Sequence, residues 1–162
     1  MIFLSSDDAA REVARRQSSG QKVVFTNGVF DILHVGHLRY LKEARALGDA
    51  LIVALNTDAS VKAIKGPTRP INAEDERAEL LDALECVDYV TFFSERTPVD
   101  LVAKVKPAIY AKGGDYTVET LPESPVVFGY GGEVKILTFI PGRSTTNIIN
   151  KLSEEGGSKG DS

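Results

Sequence analysis

The sequence predicts an α/β fold, a parallel sheet with helices on both faces arranged as three layers in one domain. Three observations lead there. The chain has 162 residues, 43% hydrophobic and 26% charged, which suits a single layered core and excludes a disordered or collagen-like polymer. Short runs rich in β-branched residues, apolar at consecutive positions, have the pattern of strands buried on both faces. These runs alternate with segments whose apolar residues recur at helical spacing, and strand-helix alternation makes a parallel sheet.

The elements follow in order. Ser6, Asp7 and Asp8 start a helix that ends on Arg15 and Arg16, as the helix dipole prefers, and Ser18-Ser19-Gly20 breaks it. Lys22-Val23-Val24-Phe25-Thr26 is the first strand, with Asn27-Gly28 as the turn after it. From about Val35, the residues Leu38, Leu41, Ala44 and Leu47 mark a helix that stops at Gly48. Residues 50–55 form the second strand, Asn72 caps a helix carrying Leu80, Leu81 and Leu84, and residues 89–93 form the third strand. Thr97-Pro98 opens a helix that Pro107 closes, and residues 108–111 are the fourth strand. A Gly- and Pro-broken stretch precedes a fifth strand at 134–140, then Pro141-Gly142 and a last helix over 144–152. The polar, Gly- and Ser-rich residues 153–162 are expected to be disordered. The sum is a single three-layer Rossmann-like domain with a five-stranded parallel sheet. Such sheets bind ligands beyond the carboxyl ends of their strands, where strand order reverses, which directs attention to residues 26–37, 112–116 and 142–146.

Composition narrows the function class. Nineteen Lys and Arg against 23 Asp and Glu give a net charge of −4, which argues against coating nucleic acid or an anionic membrane. The single cysteine, Cys86, excludes an internal disulfide and a Cys-based zinc cluster and fits a reducing cytoplasm. Residues 1–4 are too short for a signal-peptide apolar region, and no apolar run approaches the ~20 residues of a membrane span. A soluble cytoplasmic protein is expected.

Both histidines fall in one tetrapeptide, His34-Val35-Gly36-His37, at the start of the helix after the first strand. Their i, i+3 spacing puts them on one helical face, where unpaired N–H groups and the positive end of the dipole already favour an anion. Gly36 leaves room for a ligand to approach. The pattern predicts a phosphate site. Two readings compete with it: a pair of ordinary surface histidines, or a zinc pair completed by carboxylates. The chain has no P-loop, no Gly-x-Gly-x-x-Gly after its first strand and no Gly-x-Ser-x-Gly elbow.

These residues carry a family resemblance. The run from Thr26 to His37 contains the Gly-x-Phe-Asp-x-x-His-x-Gly-His core of the His-x-Gly-His nucleotidyltransferases. With Lys65-Gly66-Pro67-Thr68-Arg69-Pro70, Lys112-Gly113-Gly114-Asp115-Tyr116 and Ser144-Thr145-Thr146-Asn147-Ile148-Ile149, it resembles the adenylyltransferase domain of the ADP-heptose synthase family, from about Lys22 to Leu152. The resemblance implies an N-terminal helical extension (1–20), a nucleotidyltransferase domain (21–152) and a tail (153–162). It implies transfer of AMP from ATP to D-glycero-β-D-manno-heptose 1-phosphate, forming ADP-heptose and pyrophosphate for lipopolysaccharide or related surface sugars. It further implies ATP as substrate, Mg2+ arriving with it, no metal ligands from the protein, and a homo-oligomer, dimer or larger. Since these residues contain no sugar kinase of the kind fused to this domain in many bacteria, a separate enzyme is expected to phosphorylate the sugar.

Residue by residue, the resemblance assigns catalysis to His34, His37, Lys65 and Lys112. Nucleotide binding falls to Thr26, Asn27, Gly28, Phe30, Gly36, Ser144, Thr145 and Thr146, with Arg143 added by inference and not by the resemblance, and sugar-phosphate binding to Asp31, Arg69, Gly114 and Asp115. The residues themselves admit plainer readings. Lys65 and Arg69 can be read as solvated loop charges, Lys112 as a salt-bridge partner, Asp115 as a turn former, and the hydroxyls of 144–146 as helix caps, although the phosphate reading is favoured for the three cations. Asp31 reads as an orienting, turn-forming acid, and Arg77 divides evenly between a structural ion pair and a substrate contact. Many superfamily members carry a cation three residues after the Ser/Thr motif, where this chain has Ile149; Arg143 is the candidate replacement. The alternatives are a cytidylyltransferase acting on glycerol 3-phosphate or a related small phosphate, and a noncatalytic nucleotide sensor.

Overall fold

The computed structural model describes residues 1–137 and 152. Five strands form one all-parallel sheet, β1 (Val23–Gly28), β2 (Ala50–Asn56), β3 (Tyr89–Phe93), β4 (Ile109–Gly113) and β5 (Glu133–Leu137), in the order β3-β2-β1-β4-β5. The helices are α1 (Ser6–Ser18), α2 (Val35–Arg45), α3 (Asp58–Lys65), α4 (Glu74–Asp82), α5 (Val99–Val105) and α6 (Ser124–Gly129), with a 3-10 turn at Val118–Thr120. The expected arrangement of a five-stranded parallel sheet with helices on both faces is what the chain adopts.

Alternation along the buried strands sorts the core into two layers. Phe25, Ile52 and Tyr110 face α1, α5 and α6, where they meet Val13, Val102 and Val127. Val24, Leu51, Val53 and Ala111 face α2 and α4, where they meet Leu41, Ala44 and Leu81. Truncating a fully buried leucine such as Leu41 to alanine in such a layer costs about 2–5 kcal/mol. Helix α1 covers its own sheet, with Ala9 and Val13 fully buried, and its N-cap Ser5 accepts from the Asp8 N–H at 3.1 Å. Ahead of it, Ile2 bridges to Val90, with the Phe3 N–H 2.8 Å from the Val90 carbonyl, so that edge of β3 is covered.

Several boundaries differ from expectation for identifiable reasons. β1 runs two residues into the expected turn, because Asn27 and Gly28 continue the ladder opposite Ala54 and Leu55. Asn72 does not cap α4: Ala73 does, and Asn72 instead gives its backbone N–H to the buried Asp31 carboxylate at 2.8 Å and its amide to the Asp31 carbonyl at 2.5 Å. Leu80 faces solvent, while Leu81 is in the core. Helix α3 occupies residues expected to be loop, with Thr57 capping Ser60, and α6 lies in the stretch expected to be broken by Gly and Pro. The fifth strand spans 133–137 of the described chain; residues 138–140, the expected helix over 144–152 apart from residue 152, and the tail lie outside the described residues.

Candidate active site

Chain order along the sheet reverses between β1 and β4: the chain runs outward to β2 and β3, then returns to place β4 on the other side of β1. Their carboxyl ends border the crevice where this fold binds ligands. Three segments meet there: the β1–α2 connection, the loop after α3 and the loop after β4.

Helix α2 begins unusually. Its N-cap is His34, whose Nδ1 accepts from the Gly36 N–H at 3.1 Å, a role normally filled by Ser, Thr, Asp or Asn. With Nδ1 accepting, the neutral imidazole carries its proton on Nε2, as a donor. His37 stacks on it with ring centroids 3.9 Å apart at 27°, as the i, i+3 spacing requires. Burial, and then the neighbouring His34, push the His37 pKa down to about 4, so it is neutral at pH 7. Its Nδ1 is buried with no hydrogen-bond partner among the described residues. The first turns of α1, α3, α4 and α5 each contain acidic residues, whereas that of α2, like that of the six-residue α6, has none, leaving its dipole uncompensated.

The floor under this pair is built from β1 and α2. Phe30 holds a left-handed backbone (φ 48°) and sets its ring edge against His37, 5.2 Å between centroids. Gly28 makes that possible, since a Cβ there would come within 2.8 Å of the Phe30 ring. Thr26 is fully buried and shares a hydrogen bond with the Tyr40 hydroxyl, which also donates to the Ala111 carbonyl at 3.2 Å. Tyr40 packs on Gly113, where a Cβ would approach its ring to 2.8 Å, and burial raises its phenol to about 12. Asn27 accepts from the Tyr110 hydroxyl at 2.6 Å.

Asp31 is 1% exposed, and its carboxylate is engaged within the protein. It accepts from the backbone N–H groups of Ile71 and Asn72 and from Arg69 Nε at 3.0 Å. Burial alone would raise its pKa, but the Asn72 and Ile71 N–H groups together with Arg69 hold it below the usual value. Asp31 therefore clamps the loop after α3, and Arg69 is brought to the β1 end by that clamp. Arg77, also 1% exposed, resolves to the structural reading: it pairs with Asp58 at 2.8 Å and donates to the carbonyls of Val29 and Asn72. Lys65 ends α3 with its side chain exposed, so it is a helix C-terminal residue and not the loop cation expected.

On the other side of the crevice, Lys112 near the end of β4 stands over the Tyr116 ring at 5.2 Å from its centroid, and burial lowers its pKa. Gly114 follows at φ 103°, a conformation suited to glycine, and Asp115 is exposed. Arg143, Ser144, Thr145 and Thr146 lie outside the described residues. Among the described residues no three His, Cys, Asp or Glu side chains converge as a metal site. None of the described helices is long and apolar enough to cross a membrane. Sequence reasoning did not single out Tyr40, Tyr110 and Glu123; the first two show no signal beyond an aromatic in a core element, and Glu123 reads as one more loop acid.

Comparisons with known proteins agree with this fold. The cytidylyltransferase-like family model matches residues 25–150. The chain is 53% identical over 142 residues to the bifunctional protein HldE of Trichlorobacter lovleyi, covering 88% of this chain and 29% of that protein. It is 51% identical over 146 residues to the HldE of Geobacter metallireducens, covering 90% and 30%. It thus spans about three tenths of the length of these curated relatives. The lipopolysaccharide core biosynthesis protein from Thermoplasma volcanium superposes with a TM-score of 0.60 at 35% identity, covering 75% of this chain and 98% of that one. A pantoate-β-alanine ligase from Francisella tularensis shares the fold at 15% identity, with a TM-score of 0.54 over 85% of this chain and 66% of that one. With its histidine pair set at the reversal of a parallel five-stranded sheet, the chain belongs to the cytidylyltransferase-like family.

Proposed function

We propose that this chain transfers AMP from ATP to D-glycero-β-D-manno-heptose 1-phosphate, releasing pyrophosphate and forming ADP-heptose. The observation that carries the reaction class is the stacked His34–His37 pair on an uncompensated helix N-terminus, across the crevice from Lys112. The choice of substrate is supported by the motif resemblance to ADP-heptose synthase and by the similarity to HldE and to a lipopolysaccharide core biosynthesis protein.

In this reading a phosphate oxygen of the sugar attacks the α-phosphorus of ATP as the bond to the β-phosphate oxygen breaks, and pyrophosphate leaves with that electron pair. The sugar phosphate is already an anionic nucleophile, so no proton must be removed first. The protein's work is alignment and stabilisation of charge building on the leaving group. His34 offers its Nε2–H, and the α2 N–H groups offer donors at the same place. His37 is neutral in the free protein, and a triphosphate beside it favours its protonated form, which strengthens it as a donor where negative charge accumulates. Lys112 meets phosphate from β4, and Arg69, oriented by Asp31, meets the sugar phosphate. Lys65, Gly114 and Asp115 are proposed at the rim, and Arg143 with Ser144, Thr145 and Thr146 at the β- and γ-phosphates. Magnesium brought with ATP is the proposed cofactor, and the proposed setting is the cytoplasm, as a homo-oligomer.

The family's cytidylyltransferase character favours a second reading, transfer of CMP from CTP to glycerol 3-phosphate or a related small phosphate. Pyrophosphate release measured with each nucleotide against each acceptor separates the two. The proposal expects turnover with ATP and heptose 1-phosphate; turnover confined to CTP and glycerol 3-phosphate overturns it.

A further inference from the structure

The pairing between β1 and β4 is short. It holds two registers, Val24 opposite Ile109 and Phe25 opposite Tyr110, while β1 continues beside β2 to Gly28 and β4 continues beside β5 to Gly113. The next residues in that register, Thr26 and Ala111, are the two that Tyr40 of α2 joins. Its hydroxyl meets Thr26 Oγ1 and donates to the Ala111 carbonyl at 3.2 Å. A carbonyl only accepts, so the single Tyr40 hydroxyl proton goes to Ala111 and the Thr26 hydroxyl donates to the Tyr40 oxygen. Two residues further along β4, the Tyr40 ring lies against Gly113, where a Cβ would come within 2.8 Å of it. The side chain therefore occupies the split between the strands.

An apolar side chain would fill the same gap but leave the Ala111 carbonyl and the fully buried Thr26 hydroxyl without their partner. Packing of α2 on the sheet does not need that hydroxyl, since the neighbouring Leu41 and Ala44 are themselves fully buried in the core. What it adds is direction. Tyr40 follows His37 at i+3 on one helical face, and His37 stacks on His34. Ala111 and Gly113, the β4 contacts of Tyr40, are the residues on either side of Lys112. One side chain ties the helix that carries the imidazoles to the strand that carries the lysine.

We propose that Tyr40 is a positioning residue that sets the width of the crevice: anchored to Thr26 and Ala111 where β1 and β4 separate, it fixes His34 and His37 relative to Lys112, so that a polyphosphate can bridge them. This deepens the proposed reaction and rests on those three residues meeting phosphate.

The test uses inorganic tripolyphosphate as the probe and needs no turnover. Binding is measured by calorimetry and followed in imidazole NMR, which reads the two histidines of the chain. Tyr40→Phe keeps the ring and removes both hydrogen bonds. The proposal expects tripolyphosphate to shift both imidazoles in the wild type. It expects a Kd at least about tenfold higher in Tyr40→Phe, well below that variant's Tm, the change produced when the competent arrangement holds about a tenth of the population. Adding Thr26→Val to Tyr40→Phe should cost no further affinity, because the two hydroxyls act as one unit. A merely structural role lowers the Tm and leaves the Kd of the folded variant alone. A wild-type Kd in folded Tyr40→Phe overturns the proposal, as does a wild type that does not bind tripolyphosphate. If Tyr40→Phe does not fold, the single variant Thr26→Val must raise the Kd, and an unchanged value overturns the proposal equally. Failure of the AMP-transfer reading is seen separately, as a wild type that binds tripolyphosphate but releases no pyrophosphate from ATP and heptose 1-phosphate, and leaves the Tyr40 comparison standing.

Discussion

Replacing Asp31 by asparagine tests the clamp that joins the histidine motif to the loop after α3. The substitution keeps the size of the side chain but faces an NH2 group toward donors. Those donors are the N–H groups of Ile71 and Asn72, each reaching the carboxylate at 2.8 Å, and Arg69 Nε at 3.0 Å. Breaking a buried ion pair by removing one partner costs about 3–5 kcal/mol, because the remaining charge stays desolvated. At about 2–4 °C of Tm per kcal/mol for a chain of this size, the expected drop is roughly 6–20 °C at pH 7. The pH dependence has a definite sign. The folded Asp31 carboxyl titrates below its unfolded value, so its contribution is fully present above the unfolded pKa of about 3.9 and is lost as pH falls through the folded value. The Tm gap between wild type and Asp31→Asn is therefore expected to hold from pH 6 to 8 and close in the acid range. Calorimetry across that range is the assay, with steady-state kinetics beside it: KM for the acceptor phosphate is expected to rise more than KM for ATP, since Arg69 loses its orientation. A gap under about 2 °C at pH 7, or one that persists unchanged at acid pH, refutes the reasoning.

Three further outcomes are expected. In the free protein His37 should titrate near 4, against 6.5 for an ordinary histidine, and tripolyphosphate should move it upward; a free-protein value near 6.5 in imidazole NMR would contradict the burial argument. The same shift means that stability falls as the pH drops from 6.5 toward 4, because the unfolded chain takes up that proton first. Gly28→Ala brings a Cβ to 2.8 Å from the Phe30 ring, whose edge meets His37, so turnover should drop by about 10²-fold through displacement of the imidazole. Wild-type turnover in a folded Gly28→Ala protein would show that the Phe30–His37 contact does not set the geometry.

What was legible in the sequence depended on the distance over which each feature is determined. The strands β1, β2 and β3 were readable because burial on both faces writes itself as consecutive apolar residues, and α2 because its apolar stripe runs over eleven residues. Helix α3 was hidden because eight residues, with Val61 and Ser60 as its buried positions, give too short a stripe to stand out. Helix α6 was hidden by its six-residue length and the Pro and Gly within it. The two histidines were legible as a site because four consecutive residues at a helix start determine their own geometry. Asn72 was misread as a cap for the opposite reason: its partner, Asp31, is 41 residues away and takes both its N–H groups.

The same distinction explains where the charges are. Arg69 reaches Asp31 across 38 residues, and Arg77 reaches the Val29 carbonyl across 48; no local pattern encodes either contact. Both lie at the carboxyl end of β1, within a few residues of Phe30 and the histidine pair. Buried ion pairs of this kind add little stability over well-packed apolar residues, so stability alone does not account for them. They do set direction. Arg77 binds Val29, Asn72 and Asp58 at once, and so fixes the β1–α2 connection, the loop after α3 and the start of α3 to one point. An apolar cluster could hold those three segments together, but it would not fix their register to a fraction of an ångström, which is the tolerance that the proposed alignment of a phosphate between two imidazoles and a lysine demands.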